Sequence, residues 1–183
     1  MIALLFISLT IPAATALLLM LFRTSLNQSS ARWIACCGSV AAMLFSGLLL
    51  VQYRTQVVNP LKGSIPPVVS SIDASSAIQP RVEYRQPWLK TGDRMQLEMY
   101  FGLDGISVTM IALTTLLTFC SVLISWEAIR DRASEFYAAL LILEMGLIGV
   151  FCSFDLVLFY VFFEMTLIPL FFLIAIWGGP ERK

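Results

Sequence analysis

The sequence predicts an all-α integral membrane protein with five transmembrane helices. Hydrophobic residues make up 58% of its 183 residues and charged residues 13%, and the mean hydropathy is +0.84, which is outside the usual balance of a soluble domain. Five apolar runs are long enough, or nearly so, to cross the roughly 30 Å hydrocarbon core of a bilayer. We expect one membrane domain over residues 1–183, with spans at residues 2–22, 33–53, 102–126, 136–153 and 155–177.

Composition excludes several classes of function. The formal net charge is zero and no basic stripe is interleaved with aromatic residues, so we expect no nucleic-acid partner. Histidine is absent, which removes the commonest metal ligand and any histidine-based proton relay. The four cysteines lie in apolar runs without metal-ligand spacing: Cys36, Cys37, Cys120 and Cys152. With no glycine-rich phosphate loop or haem attachment motif either, we expect no cofactor and no metal in this chain.

The first apolar run is interpreted as a transmembrane helix that Pro12 kinks and Arg23 ends. A secretory signal peptide is the alternative, since Ala14-Thr15-Ala16 resembles a cleavage site. No positively charged segment precedes the run, however, and the run is longer than the apolar core of a typical signal peptide. Trp33 and Tyr53 border the second run, as expected of residues at the two membrane interfaces.

Residues 54–100 are interpreted as one long extramembrane loop after the second helix, because prolines, serines and charges of both signs replace the apolar pattern. Only the segment from Met95 to Phe101 alternates apolar and polar residues, as a short strand does. A strand at this position needs a pairing partner, which another chain can supply.

Acidic residues lie at both ends of the third span. Asp104 precedes its first turn, where a carboxylate caps backbone N–H groups and suits the helix dipole, and we prefer this role to ion handling. Glu127 follows Trp126 at the end of the span. It opens a charged connection that runs to Glu135 and is most simply a solvated loop.

Arginine and lysine positions predict the orientation in the membrane. The twelve basic residues divide equally between the two sides of a five-span protein. Those on the side of the C-terminus lie close to helix ends, whereas all the others lie in the 54–100 loop. Because basic residues near helix ends have the stronger effect, we expect the N-terminus outside and the C-terminus inside.

The fifth span, residues 155–177, carries Glu164 near its middle and Asp155 at its start. A carboxylate at the centre of a spanning helix costs about 3 kcal/mol or more, so a membrane acid is a functional-site hypothesis by default. The alternative is a neutral glutamate that hydrogen-bonds a neighbouring helix. Pro169 frees the carbonyl of Met165, which either loosens the helix beside the acid or makes an inert kink.

Glu144 lies in the middle of the fourth span. If the hairpin turns at Phe154, Glu144 and Glu164 each lie about 15 Å from the turn and share one depth. Antiparallel neighbours can turn both carboxyls towards one polar cavity, where desolvation and mutual repulsion favour the protonated form. The sequence does not fix whether the two faces meet. If they do, we expect the pair to bind and release protons.

The spans contain no cation to accompany these acids. Every arginine lies outside the apolar runs, as do Lys62, Lys90 and Lys183. Either the acids are protonated at rest or their cationic partner belongs to another polypeptide. We favour the second interpretation, because a proton relay needs the charged form of the acid.

Three groups of residues carry a resemblance to a known family. The longest motif comprises Leu143-Glu144, Ile148-Gly149-Val150-Phe151, Asp155-Leu156, Leu158-Phe159-Tyr160-Val161-Phe162-Phe163-Glu164, Leu167-Ile168-Pro169 and Ile176-Trp177-Gly178. Phe101-Gly102-Leu103-Asp104-Gly105-Ile106-Ser107 and Ser125-Trp126 support it. With these motifs the sequence closely resembles the N-terminal part of chain 4 of proton-pumping NADH:ubiquinone oxidoreductase, respiratory complex I. This is the antiporter-like subunit related to Mrp-type sodium/proton antiporters, whose members have roughly fourteen helices with two inverted repeats.

The resemblance implies that Glu164 is the family's essential fifth-helix glutamate, which acts with lysines on later helices that this chain lacks. Glu144 matches a feature common in the family, and Glu127 lies near a position where some members carry an acid. The implied function is proton translocation coupled to quinone reduction, as a non-redox subunit of NADH:ubiquinone reductase without an active site of its own. NADH, FMN, iron–sulfur clusters and ubiquinone then belong to other subunits.

The resemblance also implies partners and a location. The partners are the lipid bilayer, other complex I membrane subunits and a separate polypeptide that carries the remaining helices, as in a split gene; a truncated sequence would look the same. The location is the mitochondrial inner membrane, with the N-terminus on the intermembrane-space side, or alternatively a bacterial plasma membrane. The functional alternatives are part of an Mrp-type cation/proton antiporter or membrane-bound hydrogenase, and a scaffold whose acids no longer conduct protons.

Overall fold

A computed structural model describes residues 1–24, 27–55, 82–91, 95–129 and 131–178. Five helices in these ranges are long and apolar enough to cross a membrane, so the predicted five-span membrane fold is confirmed. They are α1 (Ile2–Leu21), α2 (Gln28–Tyr53), α3 (Gly105–Ala128), α4 (Ala133–Cys152) and α5 (Leu156–Trp177). The linker composition expected early in the 54–100 loop falls on residues 56–81, which lie outside the described ranges.

Helix ends depart from the limits of the apolar runs, because hydropathy marks the lipid-embedded part of a helix and not its polar terminal turns. α2 begins at Gln28 and α4 at Ala133, ahead of the runs that start at 33 and 136. α3 begins at Gly105, not at 102, because the Asp104 carboxylate accepts a hydrogen bond from the Ser107 N–H at 2.6 Å and caps the helix there.

A β-hairpin lies between α2 and α3, largely within the predicted extramembrane loop. β1 (Val82–Thr91) pairs antiparallel with β2 (Met95–Leu103). Val82 lies opposite Leu103 at one end of the hairpin, and Thr91 lies opposite Met95 at the other. The register shifts just after Pro87, whose missing N–H removes a ladder donor. The strand expected near 95–101 is therefore present, but its partner is a segment of the same chain and not another polypeptide.

α4 is the central element of the bundle, since it packs against each of the other four helices. Two glycines bring α5 close to it. A methyl group added at Gly146 would lie 2.7 Å from Thr166 Cγ2, and one added at Gly149 would overlap the Phe162 ring. α5 packs mainly on α4, and most of its remaining surface is exposed.

The core consists of two hydrophobic clusters, one towards each end of the bundle. The hairpin-end cluster comprises Leu5, Leu49, Tyr53, Phe101, Leu103, Val108, Ile111, Ile148, Cys152 and Leu158. The arginine-end cluster comprises Ala16, Leu19, Ala31, Ala35, Val122, Ala133, Tyr137, Ala138 and Leu141. Backbone contacts join the hairpin to the α4–α5 turn, because Phe154 N–H donates to the Tyr100 carbonyl at 2.9 Å. At the opposite end, Arg23 pairs with Glu135 at 3.2 Å.

Candidate functional site

The Glu144 side chain lies in the interior of the bundle with no exposed surface. It is carried by α4, between Leu141 of the arginine-end cluster and Ile148 of the hairpin-end cluster. Neither carboxyl oxygen has a hydrogen-bond partner among the residues that the structure describes. A buried carboxyl in this state is costly, so it needs a structural or functional explanation.

The Glu164 side chain lies on the exposed outer face of α5. Its neighbours on that face, one turn away in either direction, are the exposed apolar or aromatic residues Tyr160 and Ile168. The Tyr160 hydroxyl is close enough to the Glu164 carboxyl to interact with it. Glu164 therefore faces the surroundings of this chain and not its core.

The structure does not bring Glu144 and Glu164 together, which corrects the expected shared cavity. The seam between α4 and α5 is formed by Gly146 and Gly149 against Thr166 and Phe162. Glu164 is two residues from both Phe162 and Thr166, and Glu144 is two residues from Gly146. Because two residues correspond to about 200° of helical rotation, each acid points away from the seam.

The expected common depth also needs correction. Contacts of Gly146 with Thr166 and of Gly149 with Phe162 set the register of the hairpin. This register places Glu164 opposite residues 147 and 148 of α4, about one helical turn, or roughly 5 Å, from the level of Glu144. The turn is asymmetric because Ser153 is extended and bridges Phe101 of β2 before α5 begins.

A groove over α4, between α1 and α5, forms a cavity beside Pro169. Its volume is about 510 Å³, and it is lined by Met20, Arg23, Glu135, Ala139, Ile142, Met165, Ile168, Pro169, Phe172, Ile176 and Trp177. Neither candidate glutamate lines it. Pro169 is buried against this groove, within α5.

The secondary candidates lie at helix ends. Asp104 caps α3 as described, and Asp155 Oδ1 accepts hydrogen bonds from Val157 N–H at 2.9 Å and Leu158 N–H at 3.0 Å, which caps α5. Glu127 is exposed in the last turn of α3. Within the described ranges, no three histidine, cysteine or acidic side chains gather into a group that could hold a metal ion. The two aspartates thus have structural roles as helix caps.

Sequence reasoning missed Tyr160 as a polar neighbour of Glu164. The four-residue spacing of Tyr160 and Glu164 is a signal that could have found it, because residues four apart lie on one helix face. It also missed the buried hydroxyl groups that surround the level of Glu144. No pattern in the sequence distinguishes those hydroxyls from the many serines and threonines of other apolar helices.

Comparison with known proteins gives the family. NADH-ubiquinone oxidoreductase chain 4 of Arabidopsis thaliana is 36% identical over 152 residues, which cover 83% of this chain and 26% of the relative. NADH-quinone oxidoreductase subunit M of Rhodobacter capsulatus is 36% identical over 172 residues, which cover 93% of this chain and 28% of the relative. The chain belongs to this chain 4/subunit M family.

A third member of the chain 4/subunit M family, chain 4 of Metridium senile, is 48% identical over 85 residues, or 46% of this chain and 17% of the relative. None of the protein-family models compared with the chain matches it. The chain spans about a quarter of the length of the first two relatives.

Proposed function

We propose that this chain is a non-redox part of a proton-pumping NADH–quinone oxidoreductase, in which Glu164 takes part in proton translocation. The observation that carries the proposal is the position of Glu164, exposed in the middle of an apolar transmembrane helix. A charged carboxylate that faces lipid at this position costs about 3 kcal/mol, so we infer that Glu164 has a polar or cationic partner. Membership of the chain 4/subunit M family favours the oxidoreductase over an antiporter or hydrogenase module.

The partner of Glu164 lies outside this chain in our proposal. α5 packs mainly on α4 and leaves Glu164, Ile168 and Phe171 uncovered. The chain is about a quarter as long as its relatives, and a separate polypeptide that carries the remaining helices would cover this face. A lysine or arginine on that polypeptide would stabilise the charged form of Glu164, and its withdrawal would favour proton uptake.

We also propose an orientation and a location. The N-terminus, the β-hairpin and the α4–α5 turn share one end of the bundle, and Arg23 and Arg32 lie at the other end. Basic residues beside helix ends favour the inner side of a membrane, which places the hairpin outside. Mitochondrial inner and bacterial plasma membranes are the two candidate locations.

Purification from native membranes through a tag on this chain tests the proposal. We expect co-purification of peripheral subunits that contain flavin and iron–sulfur clusters, together with NADH-driven quinone reduction. A complex that exchanges sodium for protons and contains neither group would contradict the assignment and favour the antiporter. A hydrogen-oxidising complex would favour the hydrogenase.

A further inference from the structure

A layer of buried polar side chains, about two helical turns deep, separates the two hydrophobic clusters and contains Glu144. On each of α1, α2, α3 and α4, this layer lies between residues of the hairpin-end cluster and residues of the arginine-end cluster. Its members are Ser8, Ser39, Ser46, Thr114, Thr115, Thr118 and Glu144, all of them buried. We call this group the polar layer.

The hydroxyls of the polar layer mostly bond within their own helices. Ser8 Oγ donates to the Leu5 carbonyl at 2.8 Å, and Thr114 Oγ1 donates to the Met110 carbonyl at 2.9 Å. Such bonds satisfy the hydroxyl hydrogens but leave oxygen lone pairs available as acceptors. The polar layer is therefore rich in acceptors and holds no basic group among the described residues.

One pair of hydroxyls bridges two helices. Ser46 Oγ and Thr115 Oγ1 lie 2.6 Å apart, while each also lies within hydrogen-bonding distance of a carbonyl on its own helix, at 2.9 and 3.0 Å. Two hydroxyl hydrogens serve three possible bonds, so one of the three bonds is always unmade. This pair can accept a further hydrogen bond or release a hydrogen to a new acceptor.

α1 contributes a main-chain acceptor to the polar layer. Pro12 is buried within α1 and has no N–H to donate to the carbonyl four residues earlier, which belongs to Ser8. α1 packs directly against α4, the helix that carries Glu144.

The unpartnered carboxyl is the strongest indication of a ligand. Burial of a polar group without a hydrogen bond costs roughly 1–3 kcal/mol. Hydroxyl and carbonyl acceptors are present in the polar layer, yet no described group hydrogen-bonds to the Glu144 oxygens. Water is the ligand that suits a small internal site with several polar groups, since buried water typically makes two to four hydrogen bonds.

We propose that the polar layer is a buried water-binding site, in which ordered water connects the Glu144 carboxyl to the Ser46–Thr115 hydroxyl pair. This water gives Glu144 the hydrogen bonds that its own chain does not supply. The role of the site as a proton store for the pump rests on the proposed function, whereas its hydration does not. It lies inside α1–α4 and is distinct from the Glu164 face of α5.

Infrared spectroscopy of the assembled complex tests the proposal directly. Subtraction of a Glu144→Gln spectrum assigns the C=O stretch of the protonated Glu144 carboxyl. Thr115→Val, which removes one hydroxyl at nearly constant volume, should shift that band to higher wavenumber because the carboxyl loses hydrogen bonding. Thr109→Val is the matched control, since Thr109 is an exposed residue of the same helix with the same kind of bond to its own helix. It should leave the band in place.

A high-resolution map of the unmodified complex provides the second measurement, which needs no variant. We expect water density within hydrogen-bonding distance of Glu144 and of Ser46 or Thr115. The absence of water density from the polar layer, or a direct hydrogen bond from Glu144 to another side chain, would overturn the proposal. So would a Glu144 infrared band that keeps its position in Thr115→Val. Because neither measurement depends on pumping, a failure of the proposed function would leave both results interpretable.

Discussion

Glu144 and Glu164 lie on opposite sides of one helical hairpin, Glu144 sealed inside the bundle and Glu164 exposed on its outer surface. The close contacts of Gly146 and Gly149 with α5 fix this arrangement, because they select which faces of α4 and α5 meet. The two acids therefore have different environments and different neighbours. Glu144 faces the interior of this chain, and Glu164 faces its surroundings.

Gly149→Ala tests the seam that separates the two acids. The added methyl group would overlap the Phe162 ring at its base, where the ring cannot swing away cheaply, so we expect a loss of about 1–3 kcal/mol in stability. Thermal unfolding of the purified protein in detergent measures this loss. Gly47→Ala is the matched control, because no atom lies within 4 Å of its new methyl group. Equal losses of stability in the two variants would contradict the close packing of Gly149 against Phe162.

Glu144→Leu tests whether the buried carboxyl is kept at the expense of stability. An apolar side chain of similar size suits the interior better than a carboxyl, so we expect the unfolding midpoint to rise by about 2–4 °C. Glu127→Leu replaces an exposed acid and should leave the midpoint nearly unchanged. A clear loss of stability in Glu144→Leu would show that the carboxyl stabilises the fold.

Asp155→Ala tests the capping role of the acid that precedes α5. Loss of its two hydrogen bonds from backbone N–H groups should cost about 1 kcal/mol, again measured by thermal unfolding. Asp155→Asn keeps an acceptor oxygen and should retain most of the stability without the charge. If Asp155→Asn instead stopped proton translocation with stability intact, capping alone would not explain this residue.

The hairpin provides a test by titration, because the Tyr100 hydroxyl, followed by Arg85, holds the pKa of Glu83 below its ordinary value of 4.5. A lowered folded-state pKa means that this cluster stabilises the hairpin fully above pH 4.5 and loses its effect as the pH falls through the lowered value. Tyr100→Phe should raise the pKa of Glu83, as followed by carboxyl ¹³C NMR. Tyr84→Phe, on the opposite face of β1, should not. If the pKa of Glu83 were the same in Tyr100→Phe as in the parent protein, the hydrogen bond from Tyr100 would be excluded as the cause of the lowered pKa.

Hydropathy was sufficient to predict the five spans, because each helix must bury an apolar stretch of bilayer length. It could not predict which face of α5 meets α4, since apolar residues surround that helix on all sides and leave no amphipathic pattern. The partner of β2 was missed because Pro87 weakens the strand pattern of Val82–Thr91. The helix cap at Asp104 was predicted, and the cap at Asp155 could have been, since capping depends on local sequence.

The exposed position of Glu164 has a consequence for assembly. Helices that cover α5 must offer polar contact to Glu164 among the apolar side chains of Ile168 and Phe171. The Tyr160 hydroxyl, one turn away on the same face, is the polar neighbour of Glu164 within the chain. In the proposed function a cation from another polypeptide completes the site, so Glu164 is the residue whose neutralisation should matter most.

Proton translocation by the Glu164→Gln complex tests the central claim most directly. The substitution keeps the size and polarity of the side chain but removes its titration, so the complex should assemble with its usual subunits. In proteoliposomes driven by NADH and quinone, we expect coupled proton uptake to fall about tenfold or more. Glu127→Gln, which changes an exposed acid at the end of α3, should pump at nearly the parent rate. Pumping by Glu164→Gln at the parent rate would contradict a role for this residue in proton translocation.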